Sequence, residues 1–449
     1  MHGDFSRLTF RPDRRYSAVL AQQGRVLLDA EANEQSALDR HHHRRALADL
    51  IGRWGGPRGA TGFRITHIPQ GEKDPADLHI GGGRYYVDGI LVEADRPQPG
   101  RAVADEPGTD AVPLEWTYWE QPDAYRDRED EHERHHLPAA FPFLVYLKVT
   151  DLLVTAIQDP SLRETALGPS LPDTAARLKT AWQVLPLTAA DGFRVPDRPT
   201  PENLVAAFDT WVRDTRSTAT LAARAQRPAR TEHDPCLTAP EARYRGEENQ
   251  LYRVEVHQAG EKKTFKWSRE NGSVTLPVSS VDGTWVTLAE PARDLKLGLS
   301  TGDWVDLTDN AVAARGETPH LAQVVDVDQE ALRVELSAPP PAGLVHHPLL
   351  RRWDQRGPAQ DLVEGRWLDL EDGIQVWFGT GGTYRVGDHW TIPARTLTGE
   401  VEWPVDPKGD PLLQTTHGIH HHCAPLAWVT AAGQLTDLRL AFGGLAQPL

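Results

Sequence analysis

The sequence predicts a mainly β protein with some α-helix, organised as several domains. We expect an N-terminal arm plus a helix, followed by small antiparallel β-barrel or β-sandwich units. Three observations predict this class. The 449 residues exceed the length of one ordinary domain. The 37 glycines and 35 prolines indicate many turns. From Tyr244 onward, turn residues recur about every 8–12 positions between alternating apolar and polar residues, a spacing typical of sandwiches and barrels.

Shifts in composition divide the chain into five segments. We expect the arm and helix in residues 1–60, and a β-rich domain with inserted loops in residues 61–195. A proline-rich linker with one helix fills residues 196–243. A β-barrel or sandwich domain occupies residues 244–345, and a C-terminal β domain occupies residues 346–449.

Helix-forming residues and stop signals predict the helices. The first helix runs from Ala30 to Ile51 and ends at Gly52. A short helix or turn with Asp173 near its cap precedes a strand from Trp182 to Leu187. A further helix spans residues 202–215, inside the predicted linker.

Aromatic and β-branched residues with period-2 alternation predict the strands. Residues 78–92 read as a hairpin with Asp88-Gly89 as a turn signal, and residues 141–160 as one or two buried strands. Asn271-Gly272 is a tight turn between two strand-like runs. Four tryptophans fall in strand-like contexts: Trp267, Trp285, Trp304 and Trp390.

Composition excludes several classes of protein. A net charge of −16 without a basic stretch argues against nucleic-acid binding. The two cysteines, Cys236 and Cys423, are too few for a disulfide scaffold and favour a reducing compartment, so we expect synthesis in the cytoplasm. No apolar run of 18 residues occurs and no secretion signal opens the chain, so we expect no membrane insertion.

The motifs that accompany catalysis do not occur. The chain has no phosphate-binding Walker sequence, no His-Glu-x-x-His and no Gly-x-Ser-x-Gly elbow. The glycine-rich run at residues 379–387 lies between two strand-like segments, where a hairpin turn explains it. We therefore expect a protein that is not an enzyme and that uses no cofactor.

The stretch HGIHHHC, residues 417–423, is the strongest candidate for a metal site. Imidazole and thiolate are ligands for zinc and iron. On a strand, His420 and His422 point to the same face, so one chain offers two ligands and a structural metal would need others from elsewhere. The competing interpretation is a strand entry whose histidines bind the backbone or pack on tryptophan.

Several blocks of the sequence resemble an uncharacterised bacterial family, the DUF6519 proteins. The opening GDFSR, the runs QQGRV and NEQ, and the later blocks YYVDGILVE, FKWSRENGSV and HGIHHHCAPLA resemble that family's pattern in the expected order. In the last block the family's pattern is carried by His417, Gly418, Ile419, His421 and His422. His420 and Cys423 depart from that pattern, which weakens the metal interpretation.

The resemblance implies a role in assembly. Such proteins are similar to components encoded with contractile injection systems and other phage-tail-like particles. It implies a structural or accessory subunit of the baseplate, tail tip or outer shell, with baseplate, sheath or tube proteins and further copies of itself as partners. The protein would be made in the cytoplasm and leave the cell only as part of a particle.

The N-terminal arm is the candidate docking element. Phe5, Leu8, Phe10 and Tyr16 offer apolar anchors among basic residues. Such an arm can add a strand to a neighbour's sheet or fold onto its own body, and both readings stay open.

Two other functions compete with assembly. Trp116, Tyr118 and Trp119 could form a platform that stacks on sugar rings, which would make the chain a glycan- or surface-binding module of such a particle. A metal-dependent hydrolase of the cell envelope is the third possibility, but it needs ligands that the sequence does not visibly assemble.

Overall fold

The computed structural model describes residues 2–97, 115–129, 135–168, 172–226, 243–294 and 296–444. Cys236 and residues 227–242 of the predicted linker lie outside these ranges. The α-helices are α1 (Asp29–Ile51), α2 (Pro201–Asp214) and α3 (Asn310–Arg315). Single turns of 3₁₀ helix occur at Pro12–Arg14, Pro160–Leu162, Thr165–Leu167 and Ala189–Asp191. None of the helices in the described ranges is long and apolar enough to cross a membrane.

The strands before the predicted linker are β1 (Trp54–Pro57), β2 (Ile65–Ile68), β3 (Asp77–Ile80), β4 (Arg84–Val87), β5 (Ile90–Glu93), β6 (Trp116–Thr117), β7 (Phe143–Val154) and β8 (Arg177–Leu187). Those of the middle of the chain are β9 (Thr220–Ala225), β10 (Gln250–Ala259), β11 (Lys263–Ser268), β12 (Thr275–Asp282), β13 (Trp285–Leu288), β14 (Trp304–Thr308), β15 (His320–Asp328), β16 (Arg333–Leu336) and β17 (Leu349–Trp353). The remaining strands are β18 (Gln360–Asp361), β19 (Trp367–Asp369), β20 (Ile374–Phe378), β21 (His389–Arg395), β22 (Glu400–Val401), β23 (Gln414–Thr415), β24 (His421–Ala431), β25 (Gln434–Asp437) and β26 (Ala441–Phe442).

A first sandwich contains strands from both the N-terminal part (β1–β8) and the C-terminal part (β24–β26) of the chain. Its main sheet, which we call the central sheet, has the order β25-β24-β7-β8. One face of the central sheet packs against the sheets β26-β1-β4-β5 and β2-β3-β6 around a shared apolar core. The other face is covered at one end by α2, through Leu204, Phe208 and Val212.

A second sandwich lies between those two ends in sequence. It packs the five-stranded sheet β18-β11-β10-β21-β22 against the sheet β19-β20-β9-β23. Its core is rich in large side chains, and Trp267, Trp390 and Phe265 are almost fully buried. Aromatic and β-branched residues suit such a core because they pack well on pleated surfaces.

A closed barrel is in turn inserted into the second sandwich. Its strand order is β12-β13-β16-β15-β14-β17, and all six strands come from Thr275–Trp353. Aliphatic side chains such as Val286, Val305 and Val334 fill its interior. The architecture is therefore nested, with the barrel inside the second sandwich and the second sandwich inside the first.

The mainly β class with few helices and a barrel is confirmed. The helices predicted at residues 30–51 and 202–215 are confirmed as α1 and α2. The helix or turn near Asp173 was wrong in part, because the following strand begins at Arg177 and pairs along its whole length with β7. Long cross-strand pairing outweighs the local helix preference there.

The turns predicted at Asp88-Gly89 and Asn271-Gly272 are present, but the strands beside them pair differently from the prediction. Asp88-Gly89 closes the hairpin β4–β5, but β3 pairs with β2 and β6 instead of β4. Asn271 and Gly272 both have positive φ, of 53° and 62°. Their turn connects the five-stranded sheet to the barrel, because β11 pairs with β10 and β18 while β12 pairs with β13 and β17.

Strand pairing crosses the boundaries between the five predicted segments. β24, from the predicted C-terminal domain, pairs with β7 over most of its length, and β26 pairs with β1. The predicted linker contains β9, an inner strand of a four-stranded sheet. The division into segments stays a prediction about how the chain is built, whereas the sheets themselves join distant segments.

Candidate functional site

Residues 2–10 of the arm fold onto the protein's own body. His2 Nε2 lies 2.8 Å from Glu255 Oε2, and Asn271 Nδ2 donates to the Gly3 carbonyl at 3.0 Å. Arg7 Nη1 donates to Glu402 Oε1 at 2.8 Å. These contacts bind the start of the arm to the second sandwich and to the turn that leads into the barrel. We call residues 2–10 the anchored section.

The anchored section ends on the first turns of α1. Ser6 donates from its backbone N and its hydroxyl to the two carboxylate oxygens of Asp29, at 2.9 and 2.6 Å. Thr9 Oγ1 donates to Glu34 Oε2 at 2.5 Å. Carboxylates near a helix N-terminus also interact favourably with the helix dipole. The arm and α1 are thus held together by charge-assisted hydrogen bonds.

Below His2 lies a buried ionic cluster, formed by Arg253, Glu255, Lys266, Asp306 and Arg351. Lys266 Nζ lies 2.5 Å from Asp306 Oδ2 and 3.4 Å from Glu255 Oε1, and both Lys266 and Asp306 are fully buried. Arg253 Nη2 lies 2.6 Å from Glu255 Oε2. The cluster therefore joins strands of the five-stranded sheet to strands of the barrel.

The electrostatics of the cluster fix the charges of its members. Burial is the largest single influence and opposes the charge on Glu255, but Arg253, Lys266 and His2 together outweigh it, so the pKa of Glu255 falls well below its ordinary value. Burial and the charge of Arg253 lower the pKa of His2, so the imidazole is neutral at pH 7 and donates to Glu255. Near His2, an added Cβ at Gly272 would lie 2.9 Å from the imidazole, so a glycine permits this close approach.

After the anchored section, residues 16–28 form an exposed section of the arm. The exposed fractions of Leu20, Val26 and Leu27 are 82%, 80% and 62%, and Tyr16 and Leu28 are exposed as well. Among the described residues, two backbone N–H groups between residues 16 and 27 have partners: Val19 N donates to Gln35 Oε1, and Arg25 N donates to the Gln22 carbonyl. Apolar side chains and unpaired backbone groups are thus presented together.

The structure divides the predicted arm residues into two pairs. Phe5 and Phe10 are partly buried against the protein's own chain, and the Phe10 ring centroid lies 5.4 Å from that of His41. Leu8 and Tyr16 are exposed. Sequence reasoning missed Leu20 and the run Val26–Leu28, although an apolar triplet directly before a helix is a visible signal. The prediction that the arm folds onto its own body therefore applies to residues 2–10, whereas docking onto a neighbour stays a prediction.

The histidines of residues 417–423, which we call the histidine segment, contact different parts of the protein. His421 Nδ1 lies 2.8 Å from Thr150 Oγ1, and His422 Nδ1 lies 2.8 Å from Asp88 Oδ2. Thr391 N donates to His417 Nδ1 at 3.1 Å, and the His417 ring stacks beside Trp403.

The arrangement of the two predicted metal ligands differs from the expected one. β24 begins at His421, so His420 precedes the strand whereas His422 lies within it. An added Cβ at Gly418 would lie 2.9 Å from His389 Cε1, so the chain passes tightly over His389 before the strand begins. Within the described ranges, no group of three or more His, Cys, Asp or Glu side chains is placed to hold one metal ion.

The hydrogen bond between His422 and Asp88 gives the histidine segment a structural role. Although burial favours protonation of Asp88, the hydrogen bond and charge of His422 lower the pKa of Asp88 below its ordinary value. Asp88 lies in the β4–β5 turn. The segment thus ties the start of β24 to a hairpin of the opposite sheet.

The aromatic candidates for sugar stacking lie in the protein's interior. Tyr118 is fully buried and Trp119 is 8% exposed, and both belong to the core of the first sandwich. Trp116 packs against the same core. Their ring faces are occupied by protein, for example by the guanidinium of Arg126 over Tyr118 at 5.2 Å. They do not form an accessible platform.

Comparison with protein families identifies one match. The model of a family of unknown function, DUF6519, matches residues 1–192 and 202–442. Comparisons with the curated proteins and with the solved structures gave no match. Because the matched residues include the arm, both sandwiches and the barrel, the chain belongs to the DUF6519 family.

Proposed function

We propose that the protein is a structural or accessory subunit of a contractile injection system or another phage-tail-like particle, and that it docks through the exposed section of its arm. The observation that carries the proposal is the run of exposed apolar side chains at residues 16–28. Its partners are baseplate, sheath or tube proteins, or further copies of itself. The protein is made in the cytoplasm and is released with the particle.

Burial of the exposed section against a partner supplies the binding energy. Covering a Leu or Val side chain stabilises by about 1.5–3 kcal/mol, so Leu20, Val26 and Leu27 together offer about 5–9 kcal/mol before the cost of association. The unpaired backbone N–H groups beside them suit strand addition to the edge of a partner's sheet.

The flanking contacts reduce the cost of ordering the arm. The anchored section holds residues 2–10, and α1 begins at Asp29, so the exposed section is a loop fixed at both ends. A segment that is already restrained loses less conformational entropy on binding. Arg15 and Arg25 add positive charge at the surface of an acidic protein, which favours an acidic partner surface.

A triple substitution tests the proposal without disturbing the anchor. Leu20→Gln, Val26→Thr and Leu27→Gln replace exposed side chains, so the folded monomer should keep its thermal stability. Incorporation into native particles, measured by mass spectrometry of purified particles, should fall at least tenfold. Leu397→Gln is the matched control because Leu397 is 97% exposed on a turn far from the arm in sequence. Normal incorporation of the triple variant would refute docking through this section.

A deletion separates docking from anchoring. Removing residues 1–28 should leave a soluble protein that does not enter particles, but it also uncovers Glu255 and destabilises the second sandwich. Lower stability in the deletion together with unchanged stability in the triple variant would assign the two roles to the two sections. Sheath, tube and baseplate genes beside this gene would give independent support.

A further inference from the structure

A cleft of about 460 Å³ separates the outer face of the central sheet from the barrel. Lys148, Gln183 and Leu185 line it from β7 and β8, and α3 and residues 341–344 line it from the barrel side. A smaller adjoining cavity of about 80 Å³ shares Lys148, Gln183 and Arg315 with it. The volume of the cleft suits a small organic molecule better than a single water or ion.

The cleft lies next to the part of the central sheet that α2 does not cover. Along β7, the side chains of Leu144 and Tyr146 point to this face and pack with α2, and Lys148 follows at the next position of the same alternation. Gln183 and Cys423 are its cross-strand neighbours on β8 and β24. A lysine therefore replaces an apolar residue at the position where the barrel begins to cover the sheet.

The walls of the cleft are held rigidly. Gln183 Nε2 donates to the Asp123 carbonyl at 2.6 Å and to the Ala314 carbonyl at 3.2 Å, which bridges β8 to α3. Arg315 donates to both carboxylate oxygens of Glu317, at 2.6 and 3.0 Å, so this guanidinium is already neutralised. The shape of the cleft is thus set before any ligand enters.

Two other cations of the cleft have no such neutralisation. Lys148 makes no hydrogen bond or ion pair to any described residue. The charges of Arg126 and Arg385 act against its own charge, and the neighbouring thiol of Cys423 acts in the opposite direction. The Nε of Arg126 is buried without a hydrogen-bond partner among the described residues. Burial and these cations lower the pKa of Lys148 to about 8. Cations without a carboxylate partner at the wall of a cavity favour an anionic ligand.

We propose that this cleft binds a small organic anion, whose phosphate or carboxylate group pairs with Lys148 and Arg126. The apolar part of the ligand lies against Leu185, Val312 and Leu344, which line the same cleft. Arginine and lysine together are the usual partners of phosphate and carboxylate groups. This binding site is independent of the arm and goes beyond the proposed role in assembly.

Binding by the full-length protein tests the site. Phenyl phosphate, benzoate and inorganic phosphate are titrated at pH 7 and low salt by calorimetry. We expect saturable binding of at least one of the two aromatic anions, at least fivefold tighter than inorganic phosphate, and the ratio of the two identifies the preferred anionic group. Lys148→Met and Arg126→Met should each weaken binding at least tenfold. Lys262→Met is the matched control because Lys262 is an exposed lysine, 72% accessible, in the turn between β10 and β11.

A second measurement distinguishes a ligand site from a structural lysine. Removing a partly buried ammonium that has no carboxylate partner should leave the melting temperature of the ligand-free protein unchanged or raise it. Saturable binding of either aromatic anion that survives unchanged in Lys148→Met and Arg126→Met would overturn the proposal, as would the lack of saturable binding of both anions at millimolar concentration. A lower melting temperature for Lys148→Met would also overturn it, because it would show that Lys148 is held by a structural partner.

Discussion

Replacing Asp306 with Asn should destabilise the protein more than any surface charge change. Lys266 and Asp306 are fully buried and 2.5 Å apart, and the cluster contains three cations, Arg253, Lys266 and Arg351. The substitution leaves these cations with Glu255 as their one carboxylate within the cluster. The indole of Trp353 also donates to Asp306, at 2.8 Å, and competes with Lys266 for the remaining amide oxygen.

The magnitude follows from the burial of the pair. Breaking a fully buried ion pair by removing one partner costs about 3–5 kcal/mol, because the other charge stays buried. An exposed pair contributes about 0–1 kcal/mol. Lys262 and Asp361 provide such a pair, since their side chains are 72% and 68% exposed. We therefore expect Asp361→Asn to have little effect on the free energy of unfolding.

Urea unfolding followed by circular dichroism measures both variants beside the wild type. Hydrogen exchange of the amides in β11 and β14 reports whether the loss is centred on the cluster. The double variant Lys266→Met, Asp306→Leu removes both charges and should be more stable than Asp306→Asn. If Asp306→Asn lay within 1 kcal/mol of the wild type, the assigned role of the buried cluster would be refuted.

Three further outcomes are expected. The folded-state pKa of Lys148, about 8, lies below its ordinary 10.5, so the cost of charging it is complete below about pH 8 and disappears as pH rises through about 10.5. Lys148→Met should therefore exceed the wild type in stability by up to about 3 kcal/mol at pH 7, and chemical denaturation should show this difference shrinking towards pH 10. Burial raises the pKa of Cys423 to about 11. In a Cys236→Ser variant, iodoacetamide should consequently label Cys423 far more slowly in the folded than in the urea-unfolded protein at pH 8, and equal rates would contradict its burial. Elemental analysis should find no stoichiometric zinc, iron or nickel; a metal lost on His422→Ala would restore the metal interpretation.

Local patterns predicted the parts of the fold that local chemistry decides. Helix formers and a stop at Gly52 located α1, and Asp88-Gly89 located a turn whose φ values are both positive. The pairing of β24 with β7 could not be predicted in the same way, because nearly 270 residues separate them and register between distant strands is decided by packing. Helix preference near Asp173 failed for the same reason.

In the candidate site, too, the sequence predicted the local features but not the contacts between distant residues. The sequence predicted an extended arm with apolar residues, and it offered attachment of the arm to the body as one interpretation. The sequence could not predict which section of the arm attaches, because Glu255 lies 253 residues from His2 and no motif connects them. Likewise, the side chains of the cleft come from separate strands and a helix, and none of them stands out in the sequence.

The nested architecture has a consequence for the order in which the protein matures on the ribosome. The barrel is complete once Trp353 has emerged, and the second sandwich once Thr415 has emerged, while the first sandwich waits for β24. The oldest part of the nascent chain is therefore the last to close, and the edge of β7 stays unprotected through much of translation. We expect chains stalled before His421 to be cleaved by protease near β7 while their barrel survives. Cleavage confined to the barrel would contradict this order.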